Sequence, residues 1–193
     1  SSASTGKLPP ILVLKSTVDS TVTTAAVVDN LLVRLPAARN ELVLFDINRK
    51  AAIKSTLLVS DPAPLTERLL ADNSLPFAVT FITNDPESDD LVARYKEAFS
   101  IEKKNTVNLN ISWPRGVVSL SHIALPFPPD DPLYGKSDPE IEDIVFLGDM
   151  AVSGERGLLR LPADWLLRQR YNPFYSYLDN RALRWVGGDF DPD

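Results

Sequence analysis

The chain has 193 residues, 44% hydrophobic and 24% charged, enough for one globular domain or a large part of one. Its net charge of −6 argues against a nucleic-acid partner, because such a surface needs clustered lysine and arginine. The lack of cysteine excludes a cysteine nucleophile, a disulfide framework and thiolate metal ligands. No apolar run reaches the roughly 20 residues that a membrane span needs.

The first elements in chain order have the pattern of a strand, a helix and a second strand. Residues 10–16 are a continuous apolar run, typical of a strand in a parallel sheet. Apolar residues recur at helical spacing over 23–35, with Thr23 or Thr24 as the N-cap, and 41–46 is a second buried strand. We therefore predict an α/β fold with three layers (α/β/α) and a mostly parallel sheet.

The alternation continues beyond this unit. A helix is expected from Asp61-Pro62 to about residue 72, a third strand at 76–83, and a further helix at 87–99 opened by Asp85-Pro86. The later predicted elements are short strands at 106–111, 116–120, 143–148 and 157–161 and helices at 163–170 and 173–186. We expect one α/β domain over 10–193, with a long Pro/Asp-rich loop at 124–140 and a disordered or cloning-derived edge at 1–9.

Asp19 is the first candidate for chemistry. It follows the first predicted strand, and functional groups in α/β folds collect beyond the carboxyl ends of strands. A carboxylate there can accept the Nδ1–H of a histidine and leave Nε2 free as a base. Asp19 as a simple cap of the helix over 23–35 is an equal alternative.

His122 is the second candidate and the only histidine of the chain. It follows the apolar stretch 116–121, where a strand should end, and imidazole suits general-base catalysis near neutral pH. A surface or core role is the alternative for any lone histidine. An acid after a strand followed downstream by a histidine has the chain order of the Ser-Asp-His triad in α/β hydrolases.

The serine of such a triad is missing. Gly-x-Ser-x-Gly occurs nowhere in the chain, and Ser119 and Ser121, which flank His122, lack the strand-to-helix turn that presents a nucleophile. The acidic clusters lack the spacing of a calcium loop, and no glycine-rich phosphate loop occurs. No metal or organic cofactor is therefore implied.

Two segments carry a family resemblance. The segment 10–22, with the following helix and the strand at 41–46, resembles the acid-bearing part of the α/β-hydrolase superfamily, in its lipase, esterase and lysophospholipase group. Asp19 takes the acid position there. Residues 119–135 resemble the histidine loop of a bacterial branch of uncharacterised hydrolases, with His122 as the base. The chain departs from the family pattern in the long stretch between residue 46 and His122.

The resemblance implies the C-terminal part of a serine carboxylic-ester hydrolase, inactive without its nucleophile. The serine and oxyanion hole would come from an N-terminal half of the same protein, the partner would be that half or a second copy, and the substrate would be a small-molecule or lipid ester. Two other classes stay open. One is a non-catalytic α/β binding or interaction module, and the other is a Rossmann-like transferase with Asp46 or Asn84 at a ribose.

Overall fold

A computed structural model describes residues 8–19, 22–36, 39–46, 63–84, 90–96, 106–112, 124–132 and 171–190. Within these residues, five strands form one sheet in chain order: β1 (Leu12–Ser16), β2 (Glu41–Phe45), β3 (Ala78–Asn84), β4 (Asp90–Lys96) and β5 (Thr106–Ser112). The same ranges contain three α-helices: α1 (Thr24–Asn30), α2 (Ala63–Ala71) and α3 (Tyr175–Val186). The predicted elements at 116–120, 143–148, 157–161 and 163–170 lie outside the described residues.

The first three strands are parallel neighbours, which confirms the strand–helix–strand pattern. Leu12 of β1 lies opposite Glu41 of β2, and Glu41 lies opposite Ala78 of β3. Every residue of β2 is buried because this strand has neighbours on both sides, whereas Leu12, Val13 and Leu14 of β1 are half-buried. Within the part of the chain that is described, β1 pairs with β2 alone.

The predicted strand at 106–111 is confirmed as β5, whereas β4 and the antiparallel pairing of both strands correct the sequence-based expectations. Residues 90–96, predicted as part of a helix at 87–99, form β4, which is antiparallel to both β3 and β5. The pairing with two neighbours outweighs the local helix signal, as tertiary context routinely does. The fold is therefore a mixed α/β fold, in which the parallel part is confined to β1, β2 and β3.

Each face of the parallel part carries its own apolar cluster, because side chains alternate across a strand. One face presents Val13, Leu42 and Val79 in one row and Leu44 and Phe81 in the next. Val28 of α1, Leu32 and Leu69 of α2 join this cluster. The opposite face carries Leu12, Leu14, Val43, Phe45 and Ile82, with Phe174 and Tyr177 against them.

The start of α1 is set by Thr23, as predicted. Thr23 has an extended backbone, and its Oγ1 accepts a hydrogen bond from the backbone N–H of Ala26 at 3.2 Å. A cap of this kind satisfies an amide that has no partner within the helix. The helix passes into a 3-10 turn at Leu32–Arg34 and the chain leaves it before Pro36.

The helix α3 crosses the second face from one end of β2 to the other. Phe174, just before the helix, stacks on Phe45, the last residue of β2, with ring centroids 6.3 Å apart. Seven residues later Arg181 is ion-paired with Glu41, the first residue of β2. Phe174 and Tyr177 therefore pack on the sheet.

Candidate functional site

The acid predicted from the sequence lies just past the carboxyl end of β1. The backbone turns there: the Asp19 N–H donates to the Ser16 carbonyl at 3.4 Å, and the Val18 N–H donates to Ser16 Oγ at 3.3 Å. Ser16 and Val18 are buried and anchor this turn. The Asp19 carboxylate is thus presented at the edge where the parallel strands end.

Lys15 holds one oxygen of that carboxylate. Its Nζ lies 2.8 Å from Asp19 Oδ2, and the side chain of Lys15 is 5% exposed while that of Asp19 is 26% exposed. By register Lys15 shares a row with Leu44 and Phe81, and its buried ammonium is paired with the Asp19 anion. In the sequence, Lys15 lies within the predicted apolar run at 10–16, and its pairing with Asp19 was not predicted.

The second oxygen of Asp19 accepts from the chain leading to α1. The Val22 N–H donates to Asp19 Oδ1 at 3.2 Å. Because Thr23 is the N-cap of α1, Asp19 supports the turn that precedes the helix and does not cap it. Its carboxylate therefore has a defined orientation, with one charged and one backbone donor.

A polar row crosses the sheet edge beside Asp19. Thr17 Oγ1 lies 3.2 Å from Asp46 Oδ1, and the backbone continues the parallel pairing through Thr17 N–H to Phe45 O and Asp46 N–H to Ile82 O. Thr83 follows Ile82 and completes the row. Thr83 is buried, and its Oγ1 has no hydrogen-bond partner among the residues described.

Asp46 is a buried structural carboxylate in this arrangement. It is 1% exposed, and its hydrogen bond with Thr17 joins the end of β2 to the turn that carries Asp19. A carboxylate that recognises a ribose must face a ligand, and the burial of Asp46 argues against that role. The side chain of Asn84, the other ribose candidate, lies outside the described part of the structure.

His122, the other predicted site residue, lies outside the described residues, so the structure does not test its pairing with Asp19. Ala124, the first described residue after His122, packs against the cluster that contains Phe45, as Leu14 does. Farther along, the Asn172 N–H donates to the Phe127 carbonyl at 2.8 Å. Residues 124–132 run in turns and bends, as expected for part of the predicted loop.

The segment that receives this loop is closely packed. Tyr171 and Asn172 are buried, and burial raises the pKa of the Tyr171 phenol above 10 by desolvation. The Asn172 side chain accepts a hydrogen bond from the Phe174 N–H at 2.8 Å, which sets the turn into α3. The loop 124–132 is therefore fixed to the same face and the same end of β2 as Phe174.

A second polar centre, which the sequence analysis missed, lies at the opposite edge of the sheet. Arg181 contacts the Glu41 carboxylate, and Thr80 Oγ1 donates to the other Glu41 oxygen at 2.6 Å. Both charged side chains are almost fully buried, and Trp185 lies under the guanidinium at 5.1 Å. No local spacing marks a pair whose members are 140 positions apart.

Comparison of the chain with protein-family models, curated proteins and solved structures gives no match. Within the described ranges, no cluster of three or more potential metal ligands occurs. No helix of that part of the chain is both long and apolar enough to cross a bilayer. The site is therefore interpreted from its own geometry.

The geometry defines what Asp19 can do chemically. The Asp19 side chain is 26% exposed, so a hydrogen-bond donor can approach the carboxylate from the solvent side. Such a group can orient a neighbouring imidazole and stabilise its protonated form.

Proposed function

We propose that this chain supplies the acid and the base of a serine carboxylic-ester hydrolase, with Asp19 as the acid and His122 as the base. The observation that carries the proposal is the position of Asp19, an oriented and partly exposed carboxylate just beyond the carboxyl end of a parallel strand. Acids of Ser-Asp-His triads in α/β folds occupy such positions.

The packing of the loop after His122 supports the same assignment. Ala124 lies against the cluster that includes Leu14 of β1 and Phe45, the last residue of β2. The described part of this loop is held at the Phe45 end of β2, through the hydrogen bond from Asn172 to Phe127 and the stacking of Phe174 on Phe45.

The architecture we propose for the domain is three-layered. The cluster with α1 and α2 on one face of β1–β3 and the cluster with Phe174 and α3 on the other support it. In the reaction, His122 takes the proton of a serine that attacks the ester carbonyl and returns it to the leaving alcohol as the ester C–O bond breaks, while Asp19 stabilises the intervening imidazolium. Water, deprotonated by His122 in the same way, then hydrolyses the acyl-serine and restores the serine hydroxyl. With no Gly-x-Ser-x-Gly present, the serine comes from another polypeptide segment or subunit, and the substrate is a small-molecule or lipid ester.

A non-catalytic binding or interaction module is the second candidate. The observation that favours it is that both oxygens of Asp19 already have structural partners, Lys15 and the Val22 amide. Under this alternative, Asp19 neutralises a buried lysine and holds the turn, and His122 has no relation to it.

The single histidine of the chain permits a direct test of the Asp–His pair without any substrate. In protein labelled with 15N and 13C, the imidazole signals belong to His122 alone. A paired Asp19 should keep the neutral ring in the Nδ1–H tautomer and raise the pKa of His122 above 6.5. We expect Asp19→Asn to abolish the tautomer preference and to lower that pKa by about 1.

Asp29→Asn is the matched control. Asp29 lies on α1, and its ion pair with Arg68 is exposed and long, at 3.8 Å. It should leave the His122 signals unchanged. If Asp19→Asn also leaves them unchanged while the circular dichroism spectrum is retained, the hydrolase proposal is wrong and the non-catalytic alternative holds.

A further inference from the structure

The two outermost strands of the sheet, β1 and β5, differ in the side chains that they carry. Along β5, side chains alternate between exposed and half-buried, and the exposed residues are all polar: Thr106, Asn108, Asn110 and Ser112. Asn110 has a φ of 53°, and the ladder to β4 is shifted at this point, so β5 is irregular. Polar side chains and irregularities of this kind discourage pairing with a further strand.

The strand β1 lacks this protection. Leu12, Val13 and Leu14 are half-buried and place apolar side chains on both faces of the sheet. Lys15, the only charged residue of β1, is buried and paired with Asp19. Apolar side chains on both faces are typical of a strand with a neighbour on each side. The sequence of β1 therefore suits an interior strand, although β1 lies at the edge of the described sheet.

The backbone of β1 directs a short row of polar groups away from β2. The Ile11 carbonyl accepts from β2 at 2.9 Å and the Thr17 N–H donates to β2 at 3.1 Å, so the odd-numbered residues bond to β2. Because directions alternate along a strand, the N–H and carbonyl groups of Leu12 and Leu14 point to the other side, the outer edge of β1. Within the described ranges, β1 pairs with β2 alone.

Both ends of this outer edge are closed. At its start, Trp185 of α3 donates its Nε1–H to the Pro10 carbonyl at 3.3 Å. At its end, the Ser16 carbonyl accepts from the Asp19 N–H at 3.4 Å, where the chain turns away. The outer edge is therefore limited to two N–H and two carbonyl groups of the Leu-Val-Leu segment between these ends.

We propose that β1 is a self-association surface, at which two copies of this chain pair their β1 strands antiparallel about Val13. The Leu-Val-Leu segment is symmetric, so a twofold axis at Val13 brings Leu12 of each copy opposite Leu14 of the partner subunit. Each facing pair exchanges both of its backbone hydrogen bonds, which satisfies all four outward groups. The inference goes beyond the proposed function and does not depend on it.

Other twofold pairings satisfy fewer of these groups. An axis at Leu12 would place Leu14 opposite Pro10, which has no N–H and whose carbonyl is bonded to Trp185. An axis at Leu14 would place Leu12 opposite Ser16, whose carbonyl is occupied by the turn that follows. The closed ends of the outer edge thus set the register.

The surroundings of β1 fit a second copy. Large apolar side chains that are exposed in the described residues lie just before β1, in the stretch that follows it and on α3: Leu8, Val22, Leu31, Val33, Leu183 and Val186. Residues 8–14 carry no charge, so twofold pairing brings no like charges together in spite of the net charge of −6. An uncharged apolar surface is complementary to itself, as an isologous interface requires.

Sedimentation velocity of the full 193-residue chain tests the association. We expect a species of twice the chain mass of 21.3 kDa that dissociates on dilution. Hydrogen exchange followed by NMR locates the surface without any variant. The Leu12 and Leu14 N–H groups should be protected only at concentrations at which the dimer forms. The Val13 N–H, which is bonded to β2, should be protected at every concentration.

A charge swap at Val13 tests the register. On the twofold axis the two Val13 side chains face each other at the short spacing of a non-hydrogen-bonded pair. Val13→Lys and Val13→Glu should each weaken dimerisation at least about tenfold, because like charges then meet. An equimolar mixture of the two variants should restore a dimer, in which the charges are opposite. Thr106→Glu, at an exposed position of β5, is the matched control and should leave the association unchanged.

Three outcomes would overturn the inference. In a monomer with protected Leu12 and Leu14 amides, another segment of the same chain covers the outer edge. A monomer with unprotected amides leaves that edge to a different polypeptide, such as one that carries a serine. A dimer that both Val13 variants leave intact uses another surface. If the Val13 variants do not fold, the concentration dependence of hydrogen exchange decides alone, and no outcome alters the test of Asp19→Asn.

Discussion

The two edges of the parallel sheet carry two ion pairs of opposite character. At the amino edge, Glu41 and Arg181 are 2% and 1% exposed and join β2 to α3. At the carboxyl edge, Lys15 and Asp19 belong to one strand and its turn, and Asp19 remains 26% exposed. The first pair has no access to a ligand and serves the fold, whereas the second leaves a carboxylate within reach of another group.

The surroundings of the two pairs reinforce this difference. Thr80 donates to Glu41, and the Arg181 guanidinium also donates to the carbonyls of Asp189 and Phe190 at 3.3 Å. Such additional hydrogen bonds help to repay the cost of burying both charges, although Arg181 Nε has no hydrogen-bond partner among the described residues. At the carboxyl edge, Asp19 accepts from Lys15 and from the Val22 amide, and its side chain remains partly exposed.

The amino-edge pair should therefore give the largest stability effect. Arg181→Met leaves the Glu41 carboxylate buried without its cation, and we expect a loss of about 3–5 kcal/mol in the free energy of unfolding. Urea denaturation followed by circular dichroism measures it. Arg184→Met, on the same helix, removes a partly exposed pair with Asp189 and should cost about 1 kcal/mol or less.

A double variant identifies the cause of that loss. In Glu41→Gln/Arg181→Met the amide oxygen still accepts from Thr80, and no charge is buried, so at least half of the lost stability should return. If the double variant is no more stable than Arg181→Met, the loss comes from the packing of Arg181 on Trp185 and not from an unpaired charge.

The sequence predicted the parallel part of the fold because its signals are local. The apolar runs at 10–16 and 41–46, the helical spacing after Thr23 and the strand at 76–83 all correspond to described elements. The helix predicted over 87–99 was wrong for residues 90–96, because their pairing with β3 and β5 outweighs the local helix preference. The arrangement of Arg181 against Glu41 could not be predicted, since 140 positions separate them.

The carboxyl-edge site was predicted in part. The position of Asp19 after a strand is a local signal, and the structure places it there. The contact between Asp19 and Lys15 could not be predicted in the same way, because residues four apart in an extended strand are about 13 Å from each other. Only the turn at Ser16, which folds Asp19 back, brings the two side chains together. A lysine within an apolar strand, close to an acid, is the signal that could have suggested the pair.

The carboxyl-edge pair should give a smaller stability effect than the amino-edge pair. Asp19→Asn keeps an oxygen for the Val22 amide and leaves Lys15 without its anion, so we expect a loss of about 1–3 kcal/mol. The cost is lower because Asp19 is partly hydrated. Denaturant unfolding of Asp19→Asn and Asp19→Asn/Lys15→Met measures it.

The double variant should recover most of that loss, since neither charge remains in the site. A loss in Asp19→Asn as large as in Arg181→Met would contradict the contrast between the two edges. It would also assign Asp19 mainly to the fold, in agreement with the non-catalytic alternative.

The smallest expected effect concerns Tyr171, which lies on the segment that fixes the loop after His122 to the sheet. Its pKa in the folded chain is raised by burial, so on raising the pH the unfolded chain ionises first. The stability contributed by the neutral phenol is fully present below about pH 10 and is lost as pH rises toward the folded-state pKa. Tyr171→Phe should reduce the loss of unfolding free energy between pH 8 and pH 11.

The measurement is the difference in unfolding free energy between those two pH values within each protein. That difference cancels any constant cost of removing the hydroxyl. Because Asn172, next to Tyr171, donates to Phe127, ionisation of the phenol should loosen the loop 124–132 before the sheet unfolds. The loss of unfolding free energy between the two pH values could instead be the same in Tyr171→Phe and in the unmodified chain. In that case Tyr171 is hydrated in solution, and the segment that holds the loop 124–132 at the carboxyl edge is packed less closely than α3 is at the amino edge.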